Sequence, residues 1–197
     1  MPNVLRHYNR VLTIEEEERL LACSAEHLKP ILITALNTGM RKGEILSLKW
    51  SNVDFDNNML IIDALNNKSK RVKRVPLNYV MSTMLKQLKL KNQKLSEDVF
   101  LSDEGRPLKD VKTAFLNACR RADIHGLRLH DLRHTAGTRM VESGVSIVAI
   151  SKILGHSSIE ITMERYLHPE DSLREAVEKL AIFNESCSNN CSNEKDS

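Results

Sequence analysis

The chain has 197 residues, 41% of them hydrophobic and 28% charged, a balance that suits one globular domain with a sizeable core. No apolar run approaches the length of about eighteen residues that a membrane-spanning helix needs, and no charged-then-apolar leader opens the chain, so the expected compartment is the cytoplasm. The net charge of +3 says little about partners, but Lys68, Lys70, Arg71, Lys73 and Arg74 stand together in one short segment.

Thr13 and Glu16 form a capping box that should open a helix over "TIEEEERLLACSA". Leu28 to Leu36 reads as a second helix stopping at Thr38-Gly39, and "RKGEILSLKW" as a third with Ile45, Leu48 and Trp50 inward. "NVDFDNN" is turn material. "MLIIDA" and "RVKRVPL" read as two strands of a hairpin around the polar "NNKSK", and "DVFL" as a third short strand. The remainder reads as helices: Val111 to Ala122, Asp131 to Ser143, Ser146 to Leu154, Ile159 to Arg165 and Ser172 to Phe183. The expected fold is therefore mainly α (α+β), with a small three-stranded antiparallel sheet. Residues 1–11 read as a linker, 12–185 as the domain and 186–197 as a disordered tail.

Cys23 and Cys119 sit in helical apolar patterns, as reduced core residues do. Cys187 and Cys191 lie in "NESCSNNCSNEKDS", with no second pair or histidine nearby, which favours a solvated tail over zinc.

"LHDLRHT", Leu129 to Thr135, concentrates polar chemistry at a helix start. His130 and His134 share a helix face, as zinc ligands do, but Asp131 stands where zinc proteases carry glutamate and no third ligand is apparent. A plain polar helix start, with Arg133 on the surface, is the second reading. The third is an anion grip: His130 and Arg133 point to one side, near backbone N–H groups and the positive helix end, and guanidinium matches two phosphate oxygens. Arg41 after the turn in "NTGMRKGEI", His156 in "LGHSS" and Tyr166 in "TMERYLH" add weight to it, because they recur in that order.

That ordered set, Arg41, Lys68, His130-x-x-Arg133, Gly155-His156 and Tyr166, resembles the catalytic domain of the tyrosine recombinases, the phage integrase family. "TGMRKGEILSLKWSNVDF" resembles the family's first arginine box and "NKSKRVKRVPL" its β-hairpin. "LHDLRHTAGTRMVESGVSIVAISKILGHSSIEITMERYLH" resembles its second box throughout. The resemblance runs from Leu12 to Arg174. Tyr166 lies ten residues after His156, where many relatives have nine, and only about a dozen residues precede the pattern where relatives carry an N-terminal DNA-clamping domain.

The resemblance implies metal- and cofactor-independent cleavage of double-stranded DNA through a 3′-phosphotyrosine on Tyr166. Arg41 and Arg133 would clamp the phosphate. Lys68 would protonate the departing 5′-oxygen, with Lys70 as its rival. His130 and His156 would donate hydrogen bonds or move protons, and Glu44 would orient a neighbour. Lys70, Arg71, Lys73 and Arg74 would contact the DNA backbone. Relatives act as homo-tetramers on DNA, while an isolated domain can be a monomer, and the setting stays open between a mobile element and chromosome-dimer resolution. Two other readings stay open: a non-catalytic regulator using "TAGTRMVESGVSIVAISKILGHSS" as a helix-turn-helix, and a related topoisomerase.

Overall fold

The computed structural model describes residues 10–63, 72–92 and 94–166. Thr13 caps helix α1 (Ile14–Ala22) by accepting from the Glu16 N–H, while Glu16 returns a bond to the Thr13 N–H, so the predicted capping box forms. Helix α2 (Lys29–Thr38) ends at Gly39, whose left-handed backbone (φ 60°) closes the last turn. A Cβ on Gly39 would stand 2.4 Å from Leu154, so glycine also lets later helices approach here. Helix α3 is short (Lys42–Leu46), and Trp50 falls in a following 3₁₀ turn, Trp50–Asn52.

The sheet is antiparallel in the order β1 (Val53–Asp54), β2 (Met59–Ile62), β3 (Lys73–Pro76). The three-strand count is as predicted, but the membership differs. β1 arises from "NVDFDNN", read as a turn, because Val53 pairs with Leu60 and is buried beneath the tight turn. "DVFL" makes only isolated bridges, Lys49 with Asp98 and Leu101 with Pro107. β3 alternates buried and exposed, so Lys73 and Val75 face inward while Arg74 and Pro76 face out.

Helix α4 (Tyr79–Asn92) was not expected. Its cue is present, since Asn78 caps the Met81 N–H and Met81, Met84, Leu85 and Leu88 fall at helical spacing. Helices α5 (Lys112–Arg121), α6 (Leu129–Glu142), α7 (Ile147–Leu154) and α8 (Ile159–Tyr166) follow the predicted bounds closely. The expected helix from Ser172 to Phe183, the tail with Cys187 and Cys191, and the hairpin residues Lys68, Lys70 and Arg71 lie outside the described residues. None of the described helices is long and apolar enough to cross a membrane.

The core joins α1, α2, the sheet, α4 and α5 around Leu20, Leu32, Leu60, Met81 and Leu85, all fully buried, and α6 lies along α2 with Leu132 between them. A second, smaller cluster of Ile150, Leu154 and Tyr166 joins α7 and α8. The chain entering the domain is tied to α6: the Leu12 N–H donates to Thr135 Oγ1 at 3.0 Å and Arg139 donates to the Leu12 carbonyl at 3.1 Å.

Candidate active site

Asp131 fixes the start of α6. Its carboxylate accepts from the Arg128 backbone N–H at 2.8 Å and from the Arg128 guanidinium, satisfying a donor the helix leaves open. It is 1% exposed and completes the capping box of α6. Two turns of α6 then project His130 and Arg133 toward the end of α2, the start of α3 and the end of α7. There Arg41, His130, Arg133, Gly155, His156 and Arg165 line an open cleft of about 380 Å³. The cleft thus collects four cationic or imidazole side chains that the sequence singled out, from three separate segments. It adds Arg165, which sequence reasoning passed over as the neighbour of Tyr166.

The arginines are held before any ligand arrives. Arg133, 3% exposed, donates through Nη1 to the Gly39 carbonyl at 2.6 Å. Burial and the nearby Arg41 hold its guanidinium down to about 10, so it stays charged at neutral pH with its charge poorly compensated. Arg41 donates through Nη1 to Glu44 Oε1 at 2.8 Å and through Nη2 to the Gly155 carbonyl at 3.1 Å. Glu44, 2% exposed, also accepts from the Arg41 backbone N–H at 3.1 Å and from Lys73 Nζ at 3.2 Å, both on Oε2. Burial alone would raise the Glu44 carboxyl, but Lys73 and Arg41 hold it below the usual range.

Lys73 departs from its expected place among the surface cations. The strand alternation turns it inward, its side chain is 4% exposed, and it bonds Glu44 rather than facing solvent. Arg74, the next residue, is exposed, consistent with its expected place.

Both cleft histidines are pushed toward the neutral form. Burial and then Arg133 lower His130, and the same causes bring His156 down to about 4. His156 Nδ1 lies 2.7 Å from the Oγ1 of buried Thr162. With the Thr162 hydroxyl donating, the imidazole carries its proton on Nε2 and can donate it to a ligand. His134 does not converge with His130. Its ring stacks on Tyr166, with centroids 5.1 Å apart and planes 19° from parallel, and its Nδ1 has no hydrogen-bond partner among the described residues. No group of three His, Cys, Asp or Glu able to hold a metal occurs among the described residues.

Tyr166, at the end of α8, is 8% exposed and lies on α6 rather than lining the cleft. A Cβ on Gly137 would stand 2.4 Å from its Cζ, so the ring rests on bare backbone between His134 and Gly137. Burial raises its phenol above the ordinary value, partly offset by Arg133 and Arg165.

Preorganised arginines and imidazoles line an open cleft beside a sheltered tyrosine, an arrangement chemically suited to an oxyanion. Residues 10–172 match the model of the phage integrase family, and the chain belongs to that family. It is 31% identical over 192 residues to the integrase of Salmonella phage P22, covering 91% of this chain and 49% of that one. It is 29% identical over 190 residues to the tyrosine recombinase XerA of Thermococcus onnurineus, covering 92% and 66%. The structure of the Tn1549 transposon integrase bound to transposon right-end DNA superposes with a TM-score of 0.78 at 21% identity, covering 92% of this chain and 68% of that one. The chain thus spans about half to two thirds of the length of the curated relatives it matches.

Proposed function

We propose that this chain is the catalytic domain of a site-specific DNA recombinase that cuts and rejoins strands through Tyr166. The observation that carries the reading is the joint placement of Arg41, Arg133, His130 and His156 around one open cleft next to Tyr166. In the proposed reaction the scissile phosphate enters the cleft and the Tyr166 oxygen attacks phosphorus. The bond to the 5′-oxygen breaks, leaving a 3′-phosphotyrosine and a free 5′-hydroxyl, and the phenolic proton passes to a cleft base. The covalent intermediate retains the energy of the phosphodiester, so a different 5′-hydroxyl can reverse the step. Arg41 and Arg133 stabilise the charge that develops on the non-bridging oxygens, each contributing about 3 kcal/mol. His130 and His156, being neutral, donate hydrogen bonds without holding the phosphate as ion pairs. The proton for the departing oxygen falls to Lys68, with Lys70 as the rival. To reach phosphorus, Tyr166 has to leave its seat on α6.

Double-stranded DNA is the proposed partner. Arg74 and the hairpin cations Lys70 and Arg71 would contact its phosphates, contacts that are salt-sensitive and carry little sequence information. The Tn1549 relative bound to DNA supports this partner. We also infer assembly as a homo-tetramer on DNA, action in the cytoplasm and a mobile-element setting.

Covalent trapping tests the reading. A nicked substrate, whose short 5′-hydroxyl fragment diffuses away after cleavage, is incubated with the protein in EDTA and run on a denaturing gel. A pool of junction sequences or supercoiled plasmid covers the unknown site. We expect an EDTA-resistant adduct that is absent in Tyr166→Phe. DNA binding without any adduct would favour the helix-turn-helix regulator, and relaxation without strand exchange would favour a topoisomerase.

A further inference from the structure

We propose that Lys73 is a positioning residue of the cleavage site, holding Glu44 in the orientation in which Glu44 fixes the Arg41 guanidinium. The proposal deepens the strand-cleavage reading and rests on it.

The geometry has three parts. First, β3 pairs with β2 in a register that places Lys73 opposite Ile62, on the inner face it shares with Val75. A lysine there has no route to solvent: 4% of its side chain is exposed, and a Cβ built on Gly155 would meet its Cδ at 3.2 Å. Second, its ammonium is engaged below the cleft, donating to Glu44 Oε2 at 3.2 Å. Third, that bond divides the carboxylate. Oε2 serves Lys73 and the Arg41 backbone, and Oε1 serves Arg41 Nη1. Arg41 therefore makes a single side-chain bond to Glu44 and a second to the Gly155 carbonyl, while its head still lines the cleft. Without the lysine, a carboxylate 2% exposed would be free to take the guanidinium through both oxygens, turning the fork away from a phosphate.

The electrostatics agree. Three cations, Arg41, Arg133 and Lys73, surround one carboxylate. Burial is the main cause bringing the Lys73 ammonium down to about 8, and the two arginines push the same way. A buried lysine in so positive a setting is costly, and Glu44 is what keeps it charged at neutral pH. The groups facing this cluster are Arg41 and Glu44 on α3, His130 and Arg133 on α6, His156 after α7, and Arg165 and Tyr166 on α8. Lys73 also ties β3, the strand that follows the hairpin loop, to the arginine clamp.

The test separates positioning from proton donation and from DNA contact. Single-turnover cleavage and DNA affinity are measured for wild type, Lys73→Met, Lys73→Arg, Lys68→Ala and Tyr166→Phe. Each acts on an ordinary nicked substrate and on one with sulfur at the 5′-bridging position. That sulfur leaves as a thiolate of pKa about 8.5 and needs no proton donor. We expect Lys73→Met to bind DNA as wild type does, to cleave about 10- to 100-fold more slowly on both substrates, and to regain most of the rate as Lys73→Arg. Recovery of Lys73→Met on the sulfur substrate, as expected for Lys68→Ala, would make Lys73 the proton donor and overturn the proposal. Wild-type cleavage, or weaker binding at an unchanged rate in the bound complex, would overturn it too. If Lys73→Met does not fold, Lys73→Gln takes its place, uncharged and one bond too short to make the same bond to Glu44, and predicted to show the same loss. Adduct formation by Tyr166→Phe would instead sink the cleavage reading, and Lys73's role with it.

Discussion

The two walls of the site are built in opposite ways. On one, Arg41, Glu44, Lys73 and Arg133 form a network in which every head group has a named partner, down to backbone carbonyls at Gly39 and Gly155. On the other, Tyr166 is held by apolar packing with Ile150 and Leu154, by stacking on His134 and by contact with the bare backbone of Gly137. Hydrogen-bonded charges under low exposure are hard to reorganise, whereas a packed ring, whose stacking adds only about 0.5–1.5 kcal/mol beyond its area burial, can leave without uncovering a charge. The electrostatic half is therefore ready in advance, and the tyrosine proposed as nucleophile is kept in reserve.

Breaking the rigid wall should have the largest effect. Arg133→Lys keeps a charge but loses the fork that both grips Gly39 and faces the cleft. Cleavage should fall about 10²- to 10³-fold, with DNA affinity little changed, as single-turnover rates and binding titrations will show. A rate within threefold of wild type would mean that the wall acts by charge alone. Sharpening the contrast calls for a smaller change on the other wall. Gly137→Ala places a methyl where the Tyr166 ring now lies, so the ring must lift. Nitration by tetranitromethane, mapped to Tyr166 by mass spectrometry, should quicken about three- to tenfold, because a modest shift in a two-state balance is enough. Unchanged nitration would show that Gly137 is not what shelters the ring.

The smallest expected effect is a slope of stability against pH. Folding brings Lys73 from its ordinary 10.5 to about 8. Between those values the unfolded chain holds a proton that the folded one has released, so Lys73's contribution to stability rises with pH. Below about 8 both states are protonated and its penalty is constant. Cys119 and Tyr166, both raised by burial, act in the opposite sense above their ordinary 9.0 and 10.0, so the window is pH 8 to 10 and the Lys73 contribution is the difference between wild type and Lys73→Met. Denaturant unfolding across that window should show a gain in wild type that is reduced in Lys73→Met.

How much of this was legible in the sequence follows from how local each signal is. Capping at Thr13, the stop at Gly39 and the spacing of His130 and Arg133 are decided within a turn or two of chain, and they emerged as read. The same alternation that predicted strand β3 also puts Lys73 on the face of Val75, but five clustered cations outweighed it and Lys73 was read as surface. Its true partner, Glu44, lies 29 residues away in sequence, a distance no local pattern bridges. The strand at Val53–Asp54 was hidden because two residues beside a tight turn carry no periodicity of their own. Helix α4 was missed for a different reason: lysines at Lys86, Lys89 and Lys91 interrupt its apolar stripe. The seat of Tyr166 on α6 depends on Gly137 being bare, which a sequence offers no reason to single out among the glycines.

The tie at Leu12 gives the domain a mechanical property. Its backbone N–H is fastened to Thr135 and its carbonyl to Arg139, both on the helix that begins with His130 and Arg133. Tension applied at Leu12 is therefore borne by α6. The same pair of bonds would carry a displacement at that end, by rigid leverage along a single helix, toward the residues proposed to grip phosphate.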